Sequence, residues 1–182
     1  MLLFNGSLHN KRNTFNGNIY QHVLGQCNEN QLPVNELDIS EIDMPHFNPY
    51  SRKTPDAVQN MLDLFLSEDK QIWLAPLYHG SIPGIMKNAL DWLQLTSKNP
   101  SPYLTDKIIG LICIADGLFA IQGINAMNAI AHNLRAWVLP YTLPINKSEA
   151  EIRNSEHLAM HYRQKIRLMV QLLGKADTKE IN

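Results

Sequence analysis

Short apolar runs alternate with amphipathic segments along this chain, and no other feature constrains its fold as strongly. The longest run, residues 108–115, contains no charged, amide or hydroxyl side chain. Such runs are typical of strands buried on both faces of a parallel sheet, because a strand with one solvated face alternates apolar and polar residues. Shorter runs at 1–5, 72–75 and 136–139, and a weaker one at 34–39, predict four further strands.

The segments between these runs carry apolar residues at helical spacing. In the first segment, Phe15, Ile19 and Val23 share one face, and Thr14 precedes them as a predicted N-cap. Three further helix starts are predicted, at Thr54-Pro55, at Pro83-Gly84, and at Ser148 with Glu151 as a capping box.

Strands that alternate with helices indicate an α/β fold whose sheet is covered on both faces. Five such units favour a flavodoxin-like three-layer sandwich with a five-stranded parallel sheet of order 2-1-3-4-5. No linker or repeat interrupts the pattern, so we predict one domain over residues 1–174 and a polar tail over 175–182. Trp137 is expected to fill the core, and Trp92, off the apolar stripe of its helix, to be exposed or in a subunit contact.

Composition excludes several classes of function. A net charge of −1, from 16 basic and 17 acidic residues, provides no field that would attract nucleic acid. No run approaches the ~20 apolar residues that a membrane span needs. Cys27 and Cys113 cannot form a zinc site alone, and His157 and His161 lack a third ligand, so we predict no metal. The absence of a secretion signal favours a reducing, cytoplasmic setting.

Ligands of open parallel sheets bind beyond the carboxyl ends of the strands, where strand order reverses. The loops at 6–16, 76–84 and 116–123 lie there and contain glycine. The first loop offers hydroxyls, amides and helix N–H groups to a phosphate. The alternative interpretation of this segment is a capped helix after a tight turn, without a ligand. In the second, Tyr78, His79 and Gly80 suit a flat heteroaromatic ligand, the alternative being an ordinary surface loop.

A longer motif surrounds the second loop. Residues 76–93 read Pro-Leu-Tyr-His-Gly-Ser-Ile-Pro-Gly-Ile-Met-Lys-Asn-Ala-Leu-Asp-Trp-Leu. This resembles the signature Pro-x-Tyr-Asn-Gly-Ser-x-Pro-Gly-x-Leu-Lys-Asn-Ala-Leu-Asp-Trp of the NAD(P)H-dependent flavin-mononucleotide (FMN) reductases, which include quinone, azo-dye and chromate reductases. Gly6-Ser7-Leu8 resembles the start of that family's phosphate loop, and Asn13-Thr14 lies where related flavoproteins carry an Asn-Thr pair.

The resemblance implies FMN as cofactor, NADPH or NADH as co-substrate, and a homodimer or homotetramer. Because the flavin carries the chemistry, no catalytic side chain is required. The implied cofactor contacts are Ser7, His9, Thr14, Phe15 and Asn16 at the phosphate, Pro76, Leu77, Tyr78, His79 and Gly80 at the ring, and Asp116 and Gly117 on the remaining side.

The chain departs from the family pattern at several of these positions. His9 replaces the usual Arg, which predicts weaker or pH-sensitive FMN binding because a neutral imidazole compensates less phosphate charge. Leu77 stands where Glu is common and His79 where Asn is common, and residues 116–119 lack the usual glycine-rich loop. These differences bear on substrate access and specificity.

The predicted function is an NAD(P)H-dependent oxidoreductase that passes hydride through FMN to a small acceptor such as a quinone, an azo compound, a metal ion or free flavin. The alternative is a non-enzymatic, flavodoxin-like electron-transfer or flavin-binding module. Flavodoxins tend to be strongly acidic, and the net charge of −1 argues against that alternative. A fold that has lost flavin and binds a partner is the third possibility.

Overall fold

A parallel sheet with helices on both faces forms the protein. The computed structural model describes residues 1–8, 14–51, 53–150 and 158–178. The strands, in chain order, are β1 (Leu2–Asn5), β2 (Asn35–Asp38), β3 (Lys70–Pro76), β4 (Ile108–Ala115), β5 (Trp137–Val138) and β6 (Leu143–Asn146). They are ordered β2-β1-β3-β4-β5, and β6 also pairs with β4. The predicted fold class and strand order are confirmed.

The described residues form six α-helices and two short 3-10 helices between and after the strands. The α-helices are α1 (Phe15–Glu29), α2 (Asp56–Ser67), α3 (Gly84–Asp91), α4 (Ala120–Asn133), α5 (Lys147–Ala150) and α6 (Met160–Lys175). The 3-10 helices are Ile39–Glu41 and Trp92–Thr96. In α1, Thr14 is the N-cap, as predicted, since its hydroxyl accepts a hydrogen bond from the Gly17 N–H at 3.1 Å.

The two faces of the sheet carry separate apolar cores, because successive side chains of a strand point to opposite faces. Phe4 and Trp73 pack with α2, α3 and α4 on one face. Leu3 and Leu74 pack with α1 and α6 on the other. Crossovers from β1 and β3 therefore leave on opposite faces, which opens a crevice between the carboxyl ends of these neighbouring strands.

The fifth position of the sheet differs from the prediction of one strand over 136–139. Two short strands share it: β5 pairs with Ile108 and Ile109, and β6 pairs with the stretch from Ile112 to Ala115. Pro140 lies between them and has no N–H to donate to the ladder. Pro144 within β6 is tolerated because β6 lies at the edge of the sheet.

Two helix starts are also corrected. Pro55 takes the N-cap position of α2 and Asp56 is its first residue, so the predicted Thr54 cap is one residue early. The predicted last helix is two helices, since α5 begins at Lys147 and α6 at Met160. Glu151 of the predicted capping box lies outside the described residues.

The predicted environments of Trp92 and Trp137 are both wrong, since Trp92 is buried and Trp137 is exposed. Trp92 is 1% exposed, its indole N–H donates to the Pro45 carbonyl at 3.1 Å, and Phe47 packs against it edge-on. The segment around Pro45 thus covers the side of α3 that the sequence indicated as exposed. Trp137 is 47% exposed because β5 is short and lies at the sheet edge.

Candidate functional site

A cleft of about 310 Å³ lies at the carboxyl ends of the strands. Its walls come from the amino end of α1, from the loop after β3, from the end of β4, and from the residue that follows β6. The lining residues are Thr14, Phe15, Asn16, Pro76, Leu77, Tyr78, Ile114, Ala115, Asp116 and Lys147. Seven of the twelve predicted cofactor contacts therefore meet in one cleft, and their role in binding a cofactor stays a prediction.

Side-chain hydrogen bonds hold the loop after β1. Ser7 is fully buried, and its hydroxyl accepts from the Asn16 amide at 3.3 Å. The Asn5 side chain accepts from the Ser7 N–H at 3.2 Å and donates to the Ser7 carbonyl and to Asp38. Ser7 and Asn16 are thus placed beside the amino end of α1, where helix N–H groups favour an anion. His9 lies outside the described residues.

Gly6 allows this loop to lie against α3. A Cβ at Gly6 would overlap the side chain of Met86, which is fully buried. The Gly6 N–H donates to the Leu74 carbonyl at 2.8 Å, so the backbone continues the pairing of β1 with β3. The first loop and the helix after β3 are therefore in direct contact.

The N-cap bond of α1 provides a test of this wall of the cleft. We expect Thr14→Ala to lower the free energy of unfolding by about 1 kcal/mol, because the Gly17 N–H loses its acceptor. Urea unfolding measures the change. Thr14→Ser keeps the hydroxyl and should retain most of the stability, whereas equal unfolding midpoints for Thr14→Ala and the wild type would contradict the capping role.

A tight turn over residues 78–81 forms the loop after β3. Tyr78 and Ser81 exchange two backbone hydrogen bonds, of 2.8 and 2.9 Å. Both central residues have positive φ, 48° at His79 and 81° at Gly80, as in a type I′ turn. His, like Asn, adopts this region more readily than most non-glycine residues, so His79 suits a position at which the family pattern predicts Asn.

The turn leaves main-chain donors available beside the cleft. Within the ranges that the structure describes, neither the His79 N–H nor the Gly80 N–H has a hydrogen-bond partner. Tyr78, whose side chain is 44% exposed, lines the cleft next to them. His79 and Gly80 are therefore adjacent to the cleft rather than among its lining residues.

The loop after β4 carries Asp116 and two exposed apolar side chains. Asp116 lines the cleft, whereas Leu118 is 78% and Phe119 64% exposed. A Cβ added to Gly117 would meet, among the described residues, only the Phe119 ring at 4.0 Å, so Gly117 is not tightly packed. In place of the glycine-rich loop of the family pattern, this loop thus carries two exposed apolar side chains.

Lys147 is a cleft residue that the sequence analysis missed. Its ammonium lies 3.8 Å from the Asp116 carboxylate, and its side chain is 41% exposed. Its position directly after a strand could have identified Lys147 as a cleft residue. The sequence does not predict β6, however, because Pro144 is atypical of a strand. Ile114 and Ala115 were missed for another reason, since they lie within the strand rather than in its loop.

The cysteines do not supply a nucleophile. Burial raises the pKa of Cys113 to about 12 and that of Cys27 to about 11, because an apolar environment disfavours the thiolate. Both are free and buried. Cys113 instead has a packing role, since a Cβ on Gly123 of α4 would overlap its sulfur.

Metal-binding clusters and membrane-spanning helices are both absent from the described ranges 1–8, 14–51, 53–150 and 158–178. These ranges contain no group of three or more His, Cys, Asp and Glu side chains arranged to hold a metal ion. Nor do they contain a helix with the length and apolar character needed to cross a bilayer. His157, half of the spaced histidine pair, falls outside these ranges.

Solved structures with this fold include a flavoenzyme NAD(P)H:(acceptor) oxidoreductase, FerB, from Paracoccus denitrificans. It superposes with a TM-score of 0.73 over 97% of each chain, at 20% sequence identity. The azoreductase AzrA superposes with a TM-score of 0.66 at 15% identity, over 96% of this chain and 99% of that one. At such identities the likeness supports the fold alone.

Sequence comparisons identify the family to which the chain belongs. The chain is 27% identical over 112 residues to the NADPH-dependent FMN reductase ArsH of Rhizobium meliloti, a match that covers 58% of this chain and 44% of that protein. It is 29% identical over 122 residues to an FMN-dependent NADPH-azoreductase of Staphylococcus aureus, covering 65% and 57%. The chain thus spans about half the length of these relatives. Residues 1–150 match the family described as NADPH-dependent FMN reductase, and the chain belongs to that family.

Proposed function

We propose that this protein is an NAD(P)H-dependent oxidoreductase that binds FMN in the cleft and passes hydride from the nicotinamide to a small acceptor. One observation carries the proposal. The amino end of α1 and the turn at 78–81 border the same crevice at the carboxyl ends of β1, β3 and β4. The helix end suits a phosphate, and the turn suits a flat ring because no described group accepts a hydrogen bond from the His79 or Gly80 N–H. Family membership and the names of the relatives support it.

The residues of the first loop fit the phosphate end of FMN. Ser7, Thr14 and Asn16 provide two hydroxyls and an amide, and α1 has fifteen residues, long enough for a full helix dipole. Gly6 supports the fit because the close approach of α3 leaves no room for a side chain at that position. We propose that these residues, together with Phe15 and His9, hold the phosphate.

The turn at 78–81 fits the ring end. Main-chain N–H groups at His79 and Gly80 are donors of the kind that ring oxygens and nitrogens accept, and Tyr78 offers an aromatic surface beside them. A substituent on Gly80 would approach the Gln122 amide oxygen to 2.9 Å, so the turn is held close to α4. Pro76, Leu77, Asp116 and Gly117 complete the proposed ring contacts.

FMN, when bound, accepts a hydride from the nicotinamide and delivers two electrons to the acceptor. The chain's own part is to hold the ring, to leave one side of it open, and to place donors where negative charge develops on reduction. We propose acceptors of the class of quinones, azo compounds, metal ions or free flavin.

Titration of purified protein with FMN, followed by turnover with NADPH or NADH and a quinone, tests the proposal. We expect saturable FMN binding and acceptor-dependent oxidation of the nicotinamide. FMN binding without turnover would favour the non-enzymatic electron-transfer alternative. Absence of both binding and turnover would refute the flavin assignment altogether.

We also propose a homodimer or homotetramer and a cytoplasmic location. Leu118, Phe119 and Ile121 form an exposed apolar group at the start of α4, which a second subunit would cover. Two free, buried cysteines agree with a reducing compartment. Light scattering and cell fractionation measure these two properties.

A further inference from the structure

Lys147 is the one cationic side chain among the described residues that line the cleft. Among the other lining residues, Asp116 is acidic and the rest are either apolar or polar without charge. A phosphate monoester carries about −1.5 to −2 charges near pH 7, and proteins compensate such charge with Lys or Arg. The chain as a whole, at a net charge of −1, offers no surrounding positive field. A phosphate that enters this cleft therefore meets one positively charged group on its described walls.

Three hydrogen bonds hold the backbone on either side of Lys147. The Asn146 N–H donates to the Tyr162 hydroxyl of α6 at 3.1 Å. The Asn146 side chain accepts from the Ser148 N–H at 3.2 Å, and the Ser148 hydroxyl lies 3.1 Å from the Asp116 carbonyl. The loop after β6 is thus tied both to α6 and to the loop after β4. The backbone position of Lys147 is therefore fixed, while its side chain is partly exposed.

The ion pair of Lys147 is weak. The ammonium lies 3.8 Å from the Asp116 carboxylate, and the Asp116 side chain is 95% exposed. Exposed pairs at such separations contribute little to stability, because water and salt screen them. The ammonium can therefore exchange this carboxylate for a more highly charged anion at small cost.

We propose that Lys147 is a phosphate-binding residue of this site, which rests on the flavin-dependent function proposed above. Lys147 lines one cleft with Thr14, Phe15 and Asn16, the residues proposed to hold the FMN phosphate, so that phosphate is one candidate. The adenosine 2′-phosphate of NADPH, a phosphate monoester of the same chemistry, is the other. Asp116 acts as a counterion that Lys147 leaves when the phosphate arrives. A lysine after the last strand would thereby supply charge compensation that His9, in its neutral form, does not provide.

Lys147→Met, which removes the charge and keeps an unbranched stem, tests this proposal. FMN and riboflavin differ only by the phosphate, so fluorescence titrations with each isolate its contribution. If Lys147 binds the flavin phosphate, the variant should bind FMN roughly tenfold or more weakly, as for the loss of one charge-assisted hydrogen bond, while its riboflavin affinity stays the same. Added salt should weaken FMN binding to the wild type more than to the variant.

The nicotinamides distinguish the second source of phosphate. If Lys147 binds the 2′-phosphate, Lys147→Met should leave FMN affinity unchanged and raise the KM for NADPH but not for NADH. Equal effects on FMN and riboflavin, or no selective effect in either comparison, would overturn the proposal. Failure of the wild type to bind any flavin would refute the proposed function instead, so the two failures are distinguishable.

Two further variants keep the test independent of folding. Lys147→Arg retains the charge and should retain most of the affinity that Lys147→Met loses, which a loss of structure would not allow. Asp116→Asn removes the competing carboxylate. With Lys147 present, it should tighten binding of the phosphate-bearing ligand a few-fold, and the gain should be smaller in the Lys147→Met background. Equal gains in both backgrounds would contradict the exchange between Asp116 and phosphate.

Discussion

Gly80→Val is expected to abolish FMN binding while the protein stays folded. Gly80 has φ +81°, a region that a β-branched residue adopts only with strain of about 1–3 kcal/mol. A Cβ there would also lie 2.9 Å from the Gln122 amide oxygen. Both effects displace the turn and with it the backbone N–H groups of His79 and Gly80. Fluorescence titration with FMN measures the affinity, and circular dichroism with thermal unfolding reports the fold.

Two control variants separate local strain from a general cost of replacing glycine. Gly80→Asn should keep measurable FMN affinity, because Asn tolerates positive φ better than Val. Gly25→Ala lies in α1, where no described atom apart from the chain neighbours and the helix backbone comes within 4 Å of the added Cβ. It should not change FMN affinity. A folded Gly80→Val protein with wild-type FMN affinity would show that this turn does not contact the flavin.

Gly123→Ala should cost about 1–3 kcal/mol of unfolding free energy through overpacking. The added methyl would overlap the sulfur of Cys113 and lie 3.3 Å from Leu77 Cδ1. The backbone of Cys113 is held in place, because β4 is hydrogen-bonded to neighbours on both sides. We expect α4 to shift away from β4 and from Leu77 at the start of the loop after β3, so FMN affinity should fall as well. Urea unfolding and FMN titration measure the two effects.

The Cys113→Ala background provides the matched control. Without the sulfur, the contact nearest to the new methyl group is removed, and the remaining distances are those of ordinary or slightly tight packing. Gly123→Ala should therefore destabilise the Cys113→Ala protein less than it destabilises the wild type. The same loss in both backgrounds would show that another contact limits the approach of α4 to β4.

Much of the fold could be predicted because its signals are local. The uninterrupted apolar run of β4 appears with the predicted bounds, and the Thr14 cap and the Pro83-Gly84 start of α3 follow from side-chain chemistry that depends on few neighbours. Strand ends then place the three loops at one edge of the sheet. That topological rule is sufficient to bring Thr14, Tyr78 and Asp116 to the same cleft.

The features that sequence reasoning missed depend on distant contacts. Trp92 is buried because residues around Pro45 fold over it, 47 positions earlier in the chain. Lys147 reaches the cleft only because β6 forms, and the proline in that strand removes the sequence signal for a strand. The role of Gly123 is likewise visible only once α4 lies on Cys113, since periodicity alone cannot show how closely two elements approach.

The spectrum of the flavin-loaded protein under anaerobic NADPH tests the central claim most directly. We expect the visible flavin bands to bleach when NADPH is added without oxygen, and to return when a quinone is then supplied. This sequence requires one cleft that binds FMN, admits the nicotinamide and releases electrons to a second substrate. Flavin bands that persist under anaerobic NADPH and NADH alike would contradict the proposed oxidoreductase.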